Sequence, residues 1–194
     1  FLQLTPHLPM SRIANRQSVG PSARMAPNSH GVIRDRANLP DEMRIILVGF
    51  GGIEGIGRPK TLPKLENTVW LVEQSDHSNR PDILSLSELG MQFFEAVPDA
   101  DLVVTKPGYG TIVEAACQST RVLLQERPDW PETEFMNTWL DDVTCFASVA
   151  ASEMKAGNIA DAVHRLLERP LPTSLPTPSG ADEAASLIAD LARS

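Results

Sequence analysis

From residue 43 onward, short apolar runs alternate with segments of helical periodicity, and this alternation constrains the fold of the 194-residue chain more than any other feature. Strands separated by helix-length segments indicate parallel βαβ units. The predicted strands are 43–48, 68–72, 83–86, 101–105, 122–125 and 145–149. The predicted helices are 90–96, 111–118, 132–140, 159–167 and 181–192. We therefore predict an α/β fold with a Rossmann-like, doubly wound, mainly parallel sheet and helices on both faces.

Residues 1–40 differ in composition from the rest of the chain. They hold five prolines and five arginines against one acid, Asp35, so they carry a net charge of +4 in a chain whose net charge is −8. Their lack of periodicity is typical of an extended segment. We therefore expect an extended linker, or the remnant of a missing N-terminal domain, at 1–40 and one ligand-binding domain at 41–194.

The overall composition argues against several classes of protein. A net charge of −8 does not suit a nucleic-acid partner, because phosphate backbones are bound by clustered positive charge. No run of about 18 apolar residues predicts a membrane span. The two cysteines, Cys117 and Cys145, are too few for a disulfide framework and favour reduced thiols in the cytoplasm.

The first predicted strand ends in a glycine-rich loop, 49–57, which holds five of the chain's twelve glycines. Glycine lets the backbone approach a phosphate closely. A dinucleotide fingerprint would use Gly49 and Gly51, but its third glycine falls on Glu54, whose carboxylate would repel a pyrophosphate. Glu73, about twenty residues on, suits a ribose contact in NAD. An NAD-type oxidoreductase and a turn without a ligand therefore both stay open as alternatives.

The loop that follows the strand at 101–105 carries the strongest signal. It begins at Lys106 and leads through two glycines and a tyrosine into a predicted helix at Thr111. The N–H groups and partial positive charge of a helix N-terminus suit a diphosphate, and Lys106 adds a full charge beside them. Glu114, one turn into the helix, is placed to reach a ribose diol. Thr111 and Glu114 also fit a capping box, which needs no ligand.

Two runs in this region, ADLVVTKPGYGTIVEAA and the later RPDWPETEFMN, resemble the C-terminal, donor-binding domain of GT-B glycosyltransferases. Members include the enzyme that adds N-acetylglucosamine to the peptidoglycan lipid precursor and the nucleotide-sugar glycosyltransferases of small molecules. The lysine-proline-glycine-tyrosine-glycine variant also resembles the glycosyltransferase-like part of arabinose kinases. The resemblance covers roughly residues 43–190. It implies one half of a GT-B fold that binds a nucleotide diphosphate sugar, a UDP-sugar above all, for transfer to an acceptor hydroxyl.

The resemblance also implies roles for the residues that match the family's motifs. The two glycine turns would lie at the donor diphosphate, Glu114 would bind the ribose, and the segment 86–91 would face the base. The family's sugar-binding pair falls on Thr133 and Glu134, where the threonine is a departure from the usual acid or amide. The implied site consists of Gly51, Gly52, Leu89, Met91, Lys106, Gly108, Tyr109, Gly110, Thr111, Glu114 and Glu134.

The same resemblance implies how the reaction would be shared between domains. The helix N-terminus and Lys106 would stabilise the departing diphosphate, so we expect neither a metal nor another cofactor. The catalytic base is unassigned and is expected, with the acceptor site, in an N-terminal domain of the same full-length protein. We interpret Asp99 and Asp101 as turn acids rather than metal ligands. A non-catalytic nucleotide-binding module is a further alternative.

Overall fold

The computed structural model describes residues 1–51, 59–74 and 80–193. The central element is a parallel sheet of six strands flanked by helices. In chain order the strands are β1 (Leu2–Leu4), β2 (Gln17–Val19), β3 (Arg44–Gly49), β4 (Thr68–Val72), β5 (Ile83–Ser85), β6 (Leu102–Thr105), β7 (Arg121–Gln125) and β8 (Phe146–Val149). The α-helices are α1 (Val32–Ala37), α2 (Phe93–Ala96), α3 (Tyr109–Cys117), α4 (Thr133–Val143), α5 (Ala151–Ala156), α6 (Ala160–Glu168) and α7 (Gly180–Arg193). Short 3-10 helices span Pro27–Ser29 and Val97–Asp99.

The strand order of the large sheet is β5-β4-β3-β6-β7-β8, with every neighbouring pair parallel. Counted from β3, this is the order 3-2-1-4-5-6 of doubly wound folds. The predicted α/β, Rossmann-like class is therefore confirmed. The order reverses between β3 and β6, where Val48 lies opposite Val104 and Gly49 opposite Thr105. Ligands of such sheets bind outside the carboxyl ends of the strands at this switch point.

Both faces of the sheet are buried, which explains why its strands read as continuous apolar runs. Successive side chains point to opposite faces, so Ile45 and Leu47 pack in one core with α1 to α4. Ile46 and Val48 pack in the other core with α5 and α6. The two cores hold the strands, including their carboxyl ends, between the helices on either face.

The six predicted strands of the large sheet agree with the structure to within one residue at each end, whereas the starts of two helices differ by more. Helix α3 begins at Tyr109 instead of 111, and α2 begins at Phe93 instead of 90. Helices α1 and α5 and the pair β1–β2 were not predicted. Each of these four elements has six residues or fewer, too short a stretch to show a clear period.

Several of residues 1–40 contact the α/β unit. Ile33 of α1 is completely buried in the core. The carboxylate of Asp99 accepts hydrogen bonds from the backbone N–H groups of Gly31 and of Ile33, the latter at 2.8 Å. Asp99 therefore holds the start of α1, a structural task at the end of the sheet opposite the glycine loops. That these residues belong to a further N-terminal domain stays a prediction.

Replacing Asp99 by alanine should destabilise the protein by about 1–2 kcal/mol, because two N–H groups at the start of a helix lose a charged acceptor. The exposed Asp41 provides a control, and Asp41→Ala should leave stability unchanged. Urea unfolding of the two variants measures the difference. Equal stability of the two variants would show that Asp99 does not anchor this segment.

Candidate functional site

The first residues after β3 and β6 lie side by side at the switch point. Gly51 follows β3 with a φ of +65°, a left-handed conformation that favours glycine. A Cβ atom added to Gly51 would lie 3.9 Å from the Nζ atom of Lys106, which follows β6. A side-chain ammonium therefore lies over the turn after β3. Gly52 and Glu54, also singled out in the sequence, lie outside the described residues.

The start of α3 is open toward this crevice. Gly108 is the N-cap residue in an extended conformation, with φ at −170°, and no side chain caps the helix among the described residues. A Cβ on Gly108 would meet only the carbonyl oxygen of Lys106, at 4.0 Å, and one on Gly110 would meet no described atom within 4 Å. Neither glycine is therefore required by packing or by backbone strain. A helix N-terminus that no side chain caps is a favourable binding position for an anion.

The capping-box interpretation of Thr111 and Glu114 is wrong. Because α3 begins at Tyr109, Thr111 is already the third helical residue and is not at the cap. A capping box does occur at α2, where Gln92 and Glu95 exchange hydrogen bonds between side chain and backbone. Glu114 therefore needs another explanation.

Glu114 is buried, with only 4% of its surface exposed, and is paired with an arginine from the N-terminal segment. Its Oε1 accepts from Nε of Arg24 at 2.6 Å, and its Oε2 accepts from Nη2 at 3.3 Å. This contact raises the pKa of Arg24 above its usual value. The Arg24 side chain is 64% exposed and lies over the ring of Phe94, 4.7 Å from its centre. The expected ribose acceptor is therefore engaged with Arg24.

Tyr109 and the predicted base-binding segment make contacts within the protein. The Tyr109 hydroxyl donates to the carbonyl of Thr5 at 2.8 Å and accepts from the N–H of Ser22 at 3.0 Å. Burial raises the pKa of Tyr109. The carbonyl of Leu89 accepts from Arg36, and Met91 is buried in the core. The contacts described for Tyr109, Leu89 and Met91 are thus all made within the protein.

A cavity of about 260 Å³ lies beside the crevice, at the carboxyl ends of β7 and β8. Gln125, Asn137 and Thr133 line it together with Pro107 of the lysine loop. The Oε1 of Gln125 and the Oδ1 of Asn137 are buried without a hydrogen-bond partner among the described residues. Buried polar atoms without a partner are uncommon in native proteins, so these two oxygens are candidate acceptors for a polar molecule in the cavity.

The sequence analysis did not select Gln125, although its position in the strand sequence is unusual. Gln125 is the only polar residue after Arg121 in the strand sequence RVLLQ, and it stands at the carboxyl end. Glu134, which was expected to bind sugar, is exposed and lines a shallow depression next to the cavity. The Thr133 hydroxyl donates to the carbonyl of Arg127 at 2.9 Å.

Other sequence candidates for chemistry lie away from the crevice. Asp101 pairs with Arg44 at 2.8 Å, at the amino end of β6. Across 1–51, 59–74 and 80–193, no three His, Cys, Asp or Glu residues group as metal ligands would. Cys117 and Cys145 are both buried and unpaired, and burial raises the pKa of Cys117 to about 11. None of the described helices has the length and apolar character needed to cross a membrane.

Comparison with family models gave no match, and comparison with curated proteins gave none either. Among solved structures, the chain is similar to WaaG, described as a glycosyltransferase involved in lipopolysaccharide biosynthesis, with 17% sequence identity and a TM-score of 0.46. The match covers 79% of this chain and 48% of that chain. The chain thus spans about half the length of this relative.

Tyr109→Phe distinguishes a packing role from a ligand-binding role. Removing the hydroxyl leaves the Ser22 N–H without its acceptor, so we expect a loss of about 1–2 kcal/mol in stability. The affinity for a nucleotide should not change. Thermal melts with and without ligand provide both quantities. An unchanged melt together with weaker nucleotide binding would assign Tyr109 to the ligand instead.

Proposed function

We propose that this chain is the donor-binding half of a glycosyltransferase and binds a nucleotide diphosphate sugar, a UDP-sugar in the first instance. The observation that carries the proposal is the position of the Lys106 ammonium over Gly51, beside the open start of α3. This arrangement lies at the switch point of a doubly wound sheet, where such folds bind nucleotides.

The diphosphate would lie between Lys106 and the first turn of α3. Unpaired N–H groups and about half a positive charge from the helix dipole favour an anion there. Lys106 supplies a full charge on the β3 side. Because the negative charge of the departing diphosphate grows as the bond to the sugar breaks, groups fixed in this position lower the barrier. We propose that they do so without a divalent cation.

The sugar would lie in the cavity beside the crevice. The free Oε1 of Gln125 and Oδ1 of Asn137 are hydrogen-bond acceptors, and sugar hydroxyls are donors. Pro107 joins this cavity to the lysine loop, so a diphosphate and its sugar would occupy neighbouring spaces. Glu134, in the adjacent depression, would approach the outward-facing hydroxyls of the sugar.

In the proposed reaction, an acceptor hydroxyl attacks the anomeric carbon and the nucleotide diphosphate departs with the electrons of the broken bond. We assign the base that takes the proton, and the acceptor site, to an N-terminal domain of the full-length protein. We place the reaction in the cytoplasm, in keeping with two unpaired cysteines. The chain alone would bind donor without transferring the sugar.

An NAD-type dinucleotide-binding domain is the second candidate. It is favoured by the strand order and by exposed Glu73, which follows β4 next to β3, where an acid would reach the ribose of NAD. However, Gly49 is already required by packing, because a Cβ there would collide with the ring of Phe93. The glycine pattern is therefore weaker support for NAD than for a diphosphate in general.

Calorimetry with UDP, UDP-sugars and NAD tests the proposal. We expect UDP and a UDP-sugar to bind, and binding to persist in EDTA because no cation is needed. Lys106→Gln should lower the affinity for UDP by about tenfold or more, because a charged hydrogen bond is lost. Lys155→Gln, at an exposed position on α5, is the matched control. Binding of NAD alone would favour the second candidate, and affinity lost in EDTA and restored by Mn²⁺ would contradict the cation-free site.

Gly110→Ala should separate folding from binding. Gly110 is helical and its Cβ position is open, so alanine should raise stability by up to about 1 kcal/mol. The added methyl group should obstruct the diphosphate and weaken UDP by about tenfold, equivalent to about 1.4 kcal/mol.

Gly31→Ala gives the opposite pattern and serves as the control. Gly31 also has open space around its Cβ position, but its φ of +81° strains any other residue. The Gly31 variant should therefore lose stability and keep its affinity. Unchanged UDP binding in Gly110→Ala would remove the diphosphate from the start of α3.

A further inference from the structure

The N-terminal segment 20–26 runs along α3 and is held at both ends. The N–H of Ser22 donates to the Tyr109 hydroxyl at 3.0 Å, and the N–H of Ala26 donates to Oε1 of Gln118 at 3.0 Å. On the other side, the carbonyl of Pro21 accepts from the N–H of Gly180 at 2.9 Å. The backbone around Arg24 is therefore fixed, whereas its side chain is 64% exposed.

The Arg24 guanidinium occupies the oxygens that a ribose would need. Both carboxylate oxygens of Glu114 accept from it, and the carboxylate is buried beneath it. Each carboxylate oxygen can accept more than one hydrogen bond, but the carboxylate is buried beneath the guanidinium, so a ribose diol that binds Glu114 competes with Arg24 for access to it. Rotation of the exposed arginine side chain would uncover these oxygens and leave the backbone hydrogen bonds of Ser22 and Ala26 in place.

A second anionic partner for Arg24 would be close in the nucleotide-bound protein. Glu114 is five residues after the start of α3, which corresponds to about 7 Å along the helix axis. The diphosphate in the proposed function lies at that start. Arginine binds phosphate oxygens with a geometry as favourable as that for a carboxylate.

We propose that Arg24 exchanges partners when the nucleotide binds: it leaves Glu114 to the ribose and moves to the diphosphate. Arg24 is then both the competitor of the ribose in the free protein and a ligand of the diphosphate in the complex. This inference rests on the proposed function, since it assumes that a ribose and a diphosphate bind at α3. The exchange explains why the buried carboxylate of Glu114, which is expected to bind the ribose, is paired with Arg24 in the free protein.

Titrations of Arg24→Met with uridine and with UDP, followed by NMR at millimolar ligand, test the exchange. Methionine keeps an apolar stem over Phe94 and removes the charge. Affinity for uridine, which has the ribose but no phosphate, should stay equal or rise, because the competitor is gone. Affinity for UDP should fall by about tenfold or more, as for a lost charged hydrogen bond. Arg24→Lys should bind UDP more tightly than Arg24→Met but less tightly than the unmodified chain, because lysine keeps the charge and lacks the bidentate guanidinium.

Arg12→Met, at an exposed position within residues 1–40 but outside the segment 20–26, is the matched control and should change neither affinity. Circular dichroism and thermal melts verify that each variant is folded. Equal weakening of both ligands in Arg24→Met would assign Arg24 a structural role, and unchanged UDP affinity would remove it from the diphosphate. Either result overturns the exchange while UDP binding by the unmodified chain still supports the proposed function. Failure of the unmodified chain to bind UDP or uridine would overturn both.

Discussion

The parallel pairing of β3 with β6 is the contact on which the rest of the candidate site depends. It places Gly49 opposite Thr105, so the loops that leave these two strands begin side by side. Gly49 and Thr105 are 56 positions apart in the sequence, and the strand order brings them together. Lys106 and Gly51 are neighbours because of this pairing, and α3 starts at the same edge. A change of register here would separate the charge from the turn it faces.

Residues 1–40 make contacts with the α/β unit that the sequence did not predict. Asp99 fixes their end near α1, Tyr109 fixes their passage along α3, and Arg24 covers Glu114 between these points. The segment is basic and the remainder of the chain is acidic, so electrostatic attraction favours this packing at long range. Residues 1–40 thus contribute to the surroundings of the proposed nucleotide site.

Much of the fold could be predicted from the sequence, because strands buried on both faces must be apolar along their whole length. The loops after β3 and β6 were found because glycines cluster in the sequence directly after predicted strands. Arg24 could not be found in this way. Its pairing with Glu114 joins residues ninety positions apart, and no local pattern encodes it. The predicted start of α3 was two residues too late, and Thr111 was therefore wrongly interpreted as the cap residue. Capping depends on which residue begins the first turn.

We propose that a diphosphate binds between Gly51, after β3, and the start of α3, after β6. A ¹H–¹⁵N correlation spectrum titrated with UDP tests it most directly, because the amide groups of Gly51, Gly108 and Gly110 report on that crevice individually. We expect these three signals and that of Lys106 to shift most, with smaller changes near Gln125 and Asn137. Shifts concentrated elsewhere on the domain, or a spectrum unchanged at saturating UDP, would contradict it.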